Sequence, residues 1–468
     1  MILQQYMNIT LITKASFSRI LSLSLFFVML TTLGSFSQEK ISLEQAIDLA
    51  LQNNIQLKQA KFNVALSEEN LKQSKFNLTP SLNASSNYNY SLGRTFDQLS
   101  GQPFDQSITS ANGNLNSSVL LFQGFQRMNQ ILQNKYSLDA DKSNAQKAKN
   151  DLTLNVVNTY LQVLNAQDLT TAARQQADFA ALQLEREQQL FDVGNKTLAD
   201  LSQAKAQLAT AELNFTNAQN QLDLAYLNLA QLMERNPSDK FEVVKPAINL
   251  INTTESNYVA NEVFKSALAN YPDVKVAEFN KLAAQKAVAV ARGSFYPRLS
   301  FGGNLSTGYS SGRQRFIVGS NPPAFEKIPW RDQLTDNYNR GLGFNLSIPI
   351  WNGYQTRSLV NRAKINYLNA SLSEQLAKNN LNKIINQAVY DLKAAEKRYQ
   401  STQSALTSSQ DAFEVIEQRY QVGLVNSLDF NQAQINLNKA QFDLIQAKYE
   451  WIFRSKVIDF YLGKPINF

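Results

Sequence analysis

The sequence contains neither histidine nor cysteine, and the two absences exclude most site chemistry. Histidine is the commonest general base and the commonest metal ligand, so most catalytic and metal sites are removed with it. Without cysteine there is no thiol catalysis, no thiolate metal site and no disulfide. Phosphate-binding glycine loops and nucleophile elbows are also missing from the sequence. We therefore expect no enzyme activity, no cofactor and no metal site.

Long apolar runs and clusters of one charge are missing as well. The 45 Lys and Arg residues exceed the 38 Asp and Glu residues, for a net charge of +7. These basic residues are scattered along the chain without a run or a stripe, so the charge does not predict a nucleic-acid partner. Beyond the N-terminus no segment approaches 18 consecutive apolar residues, and we expect no transmembrane helix in the mature chain.

The N-terminal residues 1–37 resemble a signal peptide. Lys14 and Arg19 precede an apolar stretch of 14 residues, 20–33, and the small residues Ser35 and Ser37 suit cleavage before Gln38. A single membrane anchor is the alternative, but 14 apolar residues are short for a span. We expect an exported protein.

The most informative feature is an internal duplication at an offset of 229 residues. Segments 191–204 and 420–433 share an aromatic residue, then Val-Gly, an Asp six residues after the Gly, and Gln-Ala. Pro80 and Pro297 are only 217 residues apart, so the second copy carries 12 more residues between its Pro and its following Gly. The paired positions at the full offset include Gly124 and Gly353, Gly194 and Gly423, and Asp200 and Asp429.

Each copy predicts the same order of elements. A short helix and a helix ending at the Pro precede two strands, a very long helix, a turn at the Gly and another long helix. The predicted organisation is a first repeat at 38–235, a linker or equatorial region at 236–258 and a second repeat at 259–468. The predicted strands lie near 81–92, 111–122, 298–310 and 336–350, and the hairpin tips lie near residues 194 and 423.

The strand predictions come from alternation of polar and apolar residues, as in 82–92, where Leu, Ala and Tyr alternate with Asn and Ser. Each strand has about the 9–11 residues that cross a bilayer when tilted. Four soluble strands with one wet face are the alternative. Aromatic residues near the strand ends favour the membrane, as interfacial belts do: Phe76, Phe122, Phe125, Tyr296, Trp351 and Tyr354 at one end, Phe96, Tyr309, Phe316, Trp330 and Tyr338 at the other.

Four strands cannot form a closed barrel, and a sheet within lipid must close to satisfy its backbone. Two chains would give eight strands, a size that side chains normally fill, whereas three would give 12 and leave an open lumen. The predicted fold is therefore mainly α with a membrane β-barrel part. It comprises a duplicated helix–strand–strand–helix repeat, a trimeric 12-stranded barrel and a long helical tunnel.

Six positions explain the turns at the far ends of the helices. Gly194 and Gly423 suit helix termination, and Thr197 and Asn426 are good N-caps, each followed three residues later by Asp200 or Asp429. Each Asp therefore suits a capping box. A ring of carboxylates favouring cations at the mouth of the tube is a second role that does not exclude capping.

Four further positions explain the junctions between helices and strands. Pro80 and Pro297 are expected to end the ascending helices, because proline disfavours helix in the residue before it and cannot donate a backbone hydrogen bond. Gly124 and Gly353 are expected to turn the chain from strand back to helix. We expect these four residues to maintain the fold.

The duplicated order, the repeated Val-Gly-x₅-Asp-x₂-Gln-Ala motif and the helix ends at Pro80 and Pro297 together resemble the TolC family of outer membrane factors. The resemblance covers essentially the whole mature chain. It implies a homotrimer in outer-membrane lipid, with a 12-stranded barrel on a long periplasmic α-helical tunnel. It also implies a periplasmic adaptor (membrane fusion) protein and an inner-membrane transporter as partners.

In function, the resemblance implies a passive exit channel of a tripartite efflux or type I secretion system. Asp200 and Asp429 would lie near the aperture, and the tips that meet the adaptor would include Val193, Gly194, Val422 and Gly423. A trimeric coiled-coil surface protein without channel activity is the alternative, although a simple stalk would not return on itself twice.

The sequence departs from the family at its aperture. Some relatives place an Arg two positions after the second Gly, where it holds the closed aperture together; this chain has Val425 there and Lys196 in the first copy. Gln432 stands where a second acid occurs in some relatives. We therefore expect a closed state that is either weaker or held by other contacts. The loop 311–332 is expected to face the outside.

Overall fold

The computed structural model describes residues 39–96, 102–246, 258–320 and 324–464. The predicted signal peptide lies outside these residues, as does 247–257 of the predicted linker. The described chain is mostly helical, with a small β part, and the same order of helices and strands occurs twice. The mainly helical, duplicated fold expected from the sequence is therefore confirmed.

The first repeat begins with a three-residue strand and ends with a helical hairpin. Its elements are β1 (Glu39–Ile41), α1 (Leu43–Asn53), α2 (Ile55–Phe76), β2 (Ser81–Phe96), β3 (Pro103–Gln123), α3 (Gln126–Asp192) and α4 (Leu198–Leu232). Both strands are longer than predicted, because their polar alternation continues to pair up to Phe96 and Pro103.

The second repeat follows β4 (Phe241–Val243), which pairs in parallel with β1 and lies within the predicted linker. Its elements are α5 (Ala260–Asn270), α6 (Pro272–Gly293), β5 (Arg298–Ser310), β6 (Gln314–Ile317), β7 (Ala324–Lys327), α7 (Trp330–Asp336), β8 (Asn339–Ser347), α8 (Gln355–Gln421) and α9 (Ser427–Tyr461). The strand predicted near 336–350 is shorter in the structure, since α7 occupies its first residue and pairing ends at Ser347.

Each very long helix packs along shorter partners. Helix α3 has 67 residues, which is about 100 Å at 1.5 Å per residue. Helices α2 and α4 lie along different parts of α3, as two short helices placed end to end, and α9 lies along α8. Helix α6 contacts both α3 and α8, so it joins the two repeats. The chain is a rod whose two hairpins point the same way.

The largest apolar core lies where α3 crosses the paired strands β1 and β4. Val156, Tyr160 and Leu164 of α3 are fully buried there, together with Ile41 and Met233. The Tyr160 hydroxyl donates to the backbone oxygen of Val244 (2.6 Å) and lies 3.1 Å from that of Ile41. Tyr160 contacts the backbone of Ile41 in β1 and of Val244 directly after β4. This core therefore holds β1 against the segment that joins the repeats.

The four long strands form one antiparallel sheet in the order β2-β3-β5-β8. Strands β2 and β8 are the edges of this sheet, and within the described ranges each pairs on one side only. The single irregularity in the β3–β5 pairing lies between Leu120 and Phe122. The register therefore shows which side chains share a face of the sheet.

The register separates the sheet into an apolar face and a polar face. Leu82 opposes Ser117, Ser117 opposes Gly303 and Gly303 opposes Leu342, which places these residues on one face. That apolar face also carries Tyr88, Tyr90, Leu92, Leu115, Val119, Phe301, Leu305, Phe344 and Leu346. The polar face is uncharged over Asn83, Ser85, Asn87, Asn89, Asn112, Asn114, Asn116, Ser118, Asn304, Ser306, Asn339 and Asn345.

Helix and strand meet at the four predicted junction residues. Pro80 and Pro297 directly precede β2 and β5. Gly124 and Gly353 have φ of 53° and 61°, and each is followed by an aromatic residue that is also left-handed. A Cβ at Gly124 would meet the Tyr296 ring at 2.6 Å, whereas Gly353 has open space. The two glycines are thus equivalent in backbone conformation but not in packing.

Candidate functional site

The two hairpin tips have nearly the same backbone. Gly194 has φ of 80° and Gly423 has φ of 79°, the left-handed conformation that ends a helix. The Asn195 amide donates to the Leu190 oxygen (2.8 Å), and the Leu424 amide donates to the Arg419 oxygen (2.9 Å). Val193 is 68% exposed and Val422 is 70% exposed. Each tip therefore presents a valine to its surroundings.

The first tip begins its second helix with a complete capping box. The Asp200 amide donates to Thr197 Oγ1 (3.2 Å), and the Thr197 amide donates back to Asp200 Oδ2 (3.1 Å). At the second tip Asn426 Oδ1 accepts from the Asp429 amide (2.8 Å). Asp429 makes no reciprocal bond to the cap there, so the box expected at this tip is only half formed. Its carboxylate stays exposed.

Asp200 also joins the two tips. Ser427 Oγ donates to Asp200 Oδ1 at 2.6 Å, across from one hairpin to the other. The hydrogen bonds from Ser427 and Thr197 lower the pKa of Asp200 to about 2. The structure thus separates the two predicted acids: Asp200 is engaged between the hairpins, and Asp429 is free to face its surroundings.

A second contact between the hairpins involves Glu187, Lys196 and Tyr420. Glu187 is 2% exposed, and its Oε1 accepts from the Tyr420 hydroxyl at 2.6 Å. Lys196 Nζ donates to the Tyr420 hydroxyl (2.9 Å) and lies 3.5 Å from Glu187 Oε2. Gln183 donates to Glu187 Oε1 at 3.1 Å. We call these three residues, Glu187, Lys196 and Tyr420, the tip triad.

The protonation states of Lys196 and Tyr420 match the hydrogen bonds of the tip triad. Burial alone would lower the pKa of Lys196, but the hydrogen bond to Tyr420 and the nearby carboxylates raise it. Burial and donation to Glu187 raise the pKa of Tyr420. Lysine and tyrosine are therefore both protonated at neutral pH, as this arrangement requires. The Tyr420 ring stacks on Phe430 with centroids 4.5 Å apart, which fixes the hydroxyl in place.

Sequence patterns identified part of this site. Tyr420 belongs to the repeated motif, and Lys196 occupies the first-copy position corresponding to the latch residue of some relatives. Glu187 had no signal, since an acid on a long polar helix is usually exposed. Its burial depends on Tyr420, 233 residues away in the chain.

Asp200 makes the tips sensitive to acid. Its folded pKa of about 2 lies below the usual value of about 3.9. Its hydrogen bonds therefore add stability above about pH 4 that is lost as the pH falls toward 2. We expect the melting temperature of Asp200→Asn to fall less than that of the wild type between pH 5 and pH 2.5, measured by circular dichroism. Asp429→Asn, the matched control, should keep the wild-type slope; equal slopes for all three would contradict this role.

The described residues contain no group of three or more His, Cys, Asp or Glu side chains placed to hold a metal ion. None of the helices in the described ranges combines the length and the apolar character needed to cross a membrane.

The chain was compared with known families and structures. The sequence profile of the outer membrane efflux proteins matches residues 46–234 and 263–464. Outer membrane protein TolC of Escherichia coli (strain K12) is 24% identical over 441 residues, which cover 93% of this chain and 84% of that protein. The outer membrane efflux protein BepC of Brucella suis is 23% identical over 416 residues, covering 88% and 83%.

Solved structures share the fold. The outer membrane protein VceC of Vibrio cholerae superimposes with a TM-score of 0.74 at 19% sequence identity. The superposition covers 91% of this chain and 97% of that one. The likeness thus includes both the long helices and the four-stranded sheet.

Proposed function

This chain belongs to the outer membrane efflux protein family, and on that premise we propose that it is the exit channel of a tripartite efflux or type I secretion system. It is an outer membrane protein, and its helices would extend into the periplasm. Substrates would arrive from an inner-membrane transporter through a periplasmic adaptor and leave through the channel passively. No residue of the chain needs to do chemistry in this role.

The observation that carries the proposal is the two-faced, open-edged sheet. An apolar face suits lipid, and a polar face of Asn, Ser and Gly suits a water-filled lumen. Because β2 and β8 have no second partner among the residues that the structure describes, another chain must pair with each inside a membrane. Three chains give 12 strands, which close the sheet and leave a lumen, whereas eight strands are normally filled by side chains. The homotrimer follows from these two requirements.

Helix α8 supports the same assembly. Ile365, Leu368, Leu372 and Leu376 lie on one face of α8, at a spacing of three or four residues. All four are between 58% and 64% exposed in the single chain. On α2, Phe62 and Leu66 are also exposed. We infer that neighbouring chains cover these residues, so that the same three chains form both the closed tunnel wall and the closed barrel.

The tips are the proposed contact with the adaptor. Besides Val193 and Val422, the apolar residues exposed there are Leu198, Leu424 and Leu428. Gly194 and Gly423 hold the turns so that these side chains point away from the hairpins. An apolar tip repeated six times in the trimer would suit a partner with matching apolar grooves.

The test of the proposed function is single-channel recording in planar bilayers. The purified trimer should insert and give discrete, reproducible conductance steps. A trimer that inserts and passes no ions would contradict the channel and favour a structural surface protein.

Asp429 is the proposed source of cation preference. Asp429→Asn should lower the preference for K⁺ over Cl⁻ and weaken block by multivalent cations, because it removes three exposed carboxylates from one mouth. Reversal potentials in asymmetric KCl measure the preference. Asp200→Asn is the matched control and should have a smaller effect, since Asp200 is engaged by Ser427 and Thr197. Unchanged selectivity and block in Asp429→Asn would leave that residue without a role in permeation.

A further inference from the structure

The apolar face of the sheet contains a groove. Its volume is about 680 Å³, and its apolar lining includes Leu82, Leu115, Val119, Phe301, Leu305 and Leu342. The middle of the groove lies over Ser117 and Gly303, which oppose each other in the β3–β5 pairing. Ser117 is small and leaves a depression between the larger side chains around it, whereas Leu342 Cδ2 covers Gly303, 2.6 Å from the point where a Cβ would stand. Because all four strands contribute, the groove lies within one chain and would persist in the trimer.

Arg340 also lines this groove. Arg340 opposes Leu305 and lies two residues before Leu342, which opposes Gly303. Since β8 begins at Asn339, Arg340 stands at the end of the strand next to α7 and the β6–β7 hairpin. It is exposed, and no ion pair to it is found in the described ranges. Arg94, on the same face, is paired with Asp105 at 3.5 Å.

The depth of Arg340 in the proposed barrel places it at the outer border of the lipid. Seven residues separate it from Ser347, where β8 ends, or about 18 Å at 3.3 Å per residue and a tilt of 40°. The exposed Ile348 and Ile350 continue the apolar band beyond that end of the strand, toward its usual height of about 25 Å. The exposed ring of Tyr338 lies two residues before it in the sequence and that of Trp330 ten residues before it, as in an interfacial belt. The guanidinium would therefore be level with lipid headgroups, and the groove would extend from it into the hydrocarbon.

We propose that Arg340 and the groove bind one anionic, phosphate-bearing lipid of the outer leaflet in each chain. The phosphate would accept a forked pair of hydrogen bonds from the guanidinium. One acyl chain would lie over Ser117 and against Leu342. The orientation rests on the proposed function, which sets the apolar face toward lipid. A lipid bound across all four strands would contact both edge strands, β2 and β8, on the lipid-facing side of the sheet.

The experiment is native mass spectrometry of the full-length trimer in detergent. The probe is dimyristoyl phosphatidylglycerol, compared with dimyristoyl glycerol, which has the same chains and no phosphate. We expect up to three phosphatidylglycerol molecules on each trimer, and at least tenfold weaker binding of dimyristoyl glycerol. Millimolar inorganic phosphate should not displace the lipid, because it lacks the acyl chains.

Variants separate the headgroup from the groove. Arg340→Gln should weaken phosphatidylglycerol binding about tenfold, and Arg340→Lys should be intermediate, because it keeps the charge without the fork. Ser117→Leu should weaken binding by filling the groove. Arg94→Gln is the matched control on the same face and should bind as the wild type does.

Two outcomes would overturn the lipid site: equal binding of the two probes, which indicates a general apolar surface only, or wild-type binding by Arg340→Gln. The same spectra report the mass of the assembly. Loss of the trimer in the wild type would contradict the proposed function instead, so the two failures are distinguishable.

Discussion

Leu372→Asp is expected to prevent assembly of the trimer and to abolish channel conductance. Leu372 lies in the middle of the apolar stripe on α8 and is 64% exposed in the single chain. In the trimer the substitution would place an unpaired carboxylate in each of three interfaces, at a penalty of several kcal/mol for each buried charge. A closed ring needs all three interfaces, so the penalties act together on one equilibrium.

The oligomeric state in detergent, from native mass spectrometry or analytical ultracentrifugation, measures this effect. Ser373→Asp is the matched control: it adds the same charge one residue further along α8, at an exposed position outside the stripe. We expect the control to remain trimeric and to conduct. A trimer that survives Leu372→Asp with normal conductance would show that this face of α8 is not an interface.

Lys196→Met should have the second largest effect, because it leaves the buried carboxylate of Glu187 without its counter-charge. Breaking a fully buried ion pair costs about 3–5 kcal/mol. The lower end of that range applies here, because Tyr420 and Gln183 still donate to Glu187 and Lys196 is partly exposed. The two hairpins should separate more readily, and conductance of the resting channel should rise.

A double-mutant cycle tests this interpretation. Adding Glu187→Gln to Lys196→Met removes the stranded charge, so the pair should recover much of the stability lost by the single variant. Resting conductance and melting temperature should recover together. If the double variant is as unstable as the sum of the single ones, Lys196 and Glu187 are not coupled and a stranded charge does not explain the loss of stability.

Local signals predicted where the long helices end at the two hairpin tips. Gly194 and Gly423, with Thr197 and Asn426 after them, mark turns that depend only on backbone preference and capping, both of which act over a few residues. The strands followed from alternation for the same reason. Their ends were less certain, since β2 and β3 continue for as long as each finds a partner residue, and partnership is not local.

The candidate site was only partly predictable. The repeated motif predicted the same roles, helix capping and a place at the mouth of the tube, for Asp200 and Asp429, because their local sequences are alike. The structure separates them: Ser427 engages Asp200 from the other hairpin, and the half-formed cap leaves Asp429 exposed. Glu187 had no signal, because its burial requires Tyr420 and Lys196 to arrive from elsewhere in the chain.

The amino-acid sequence alone determined the elements, their duplication and the two chemically different faces of the sheet, because these depend on residues that are close in the chain. The tertiary structure decided which charges meet. Those pairings depend on how α3, α8 and α9 are set against one another along their lengths. That alignment is fixed by packing over many apolar contacts, and no short segment of sequence contains it.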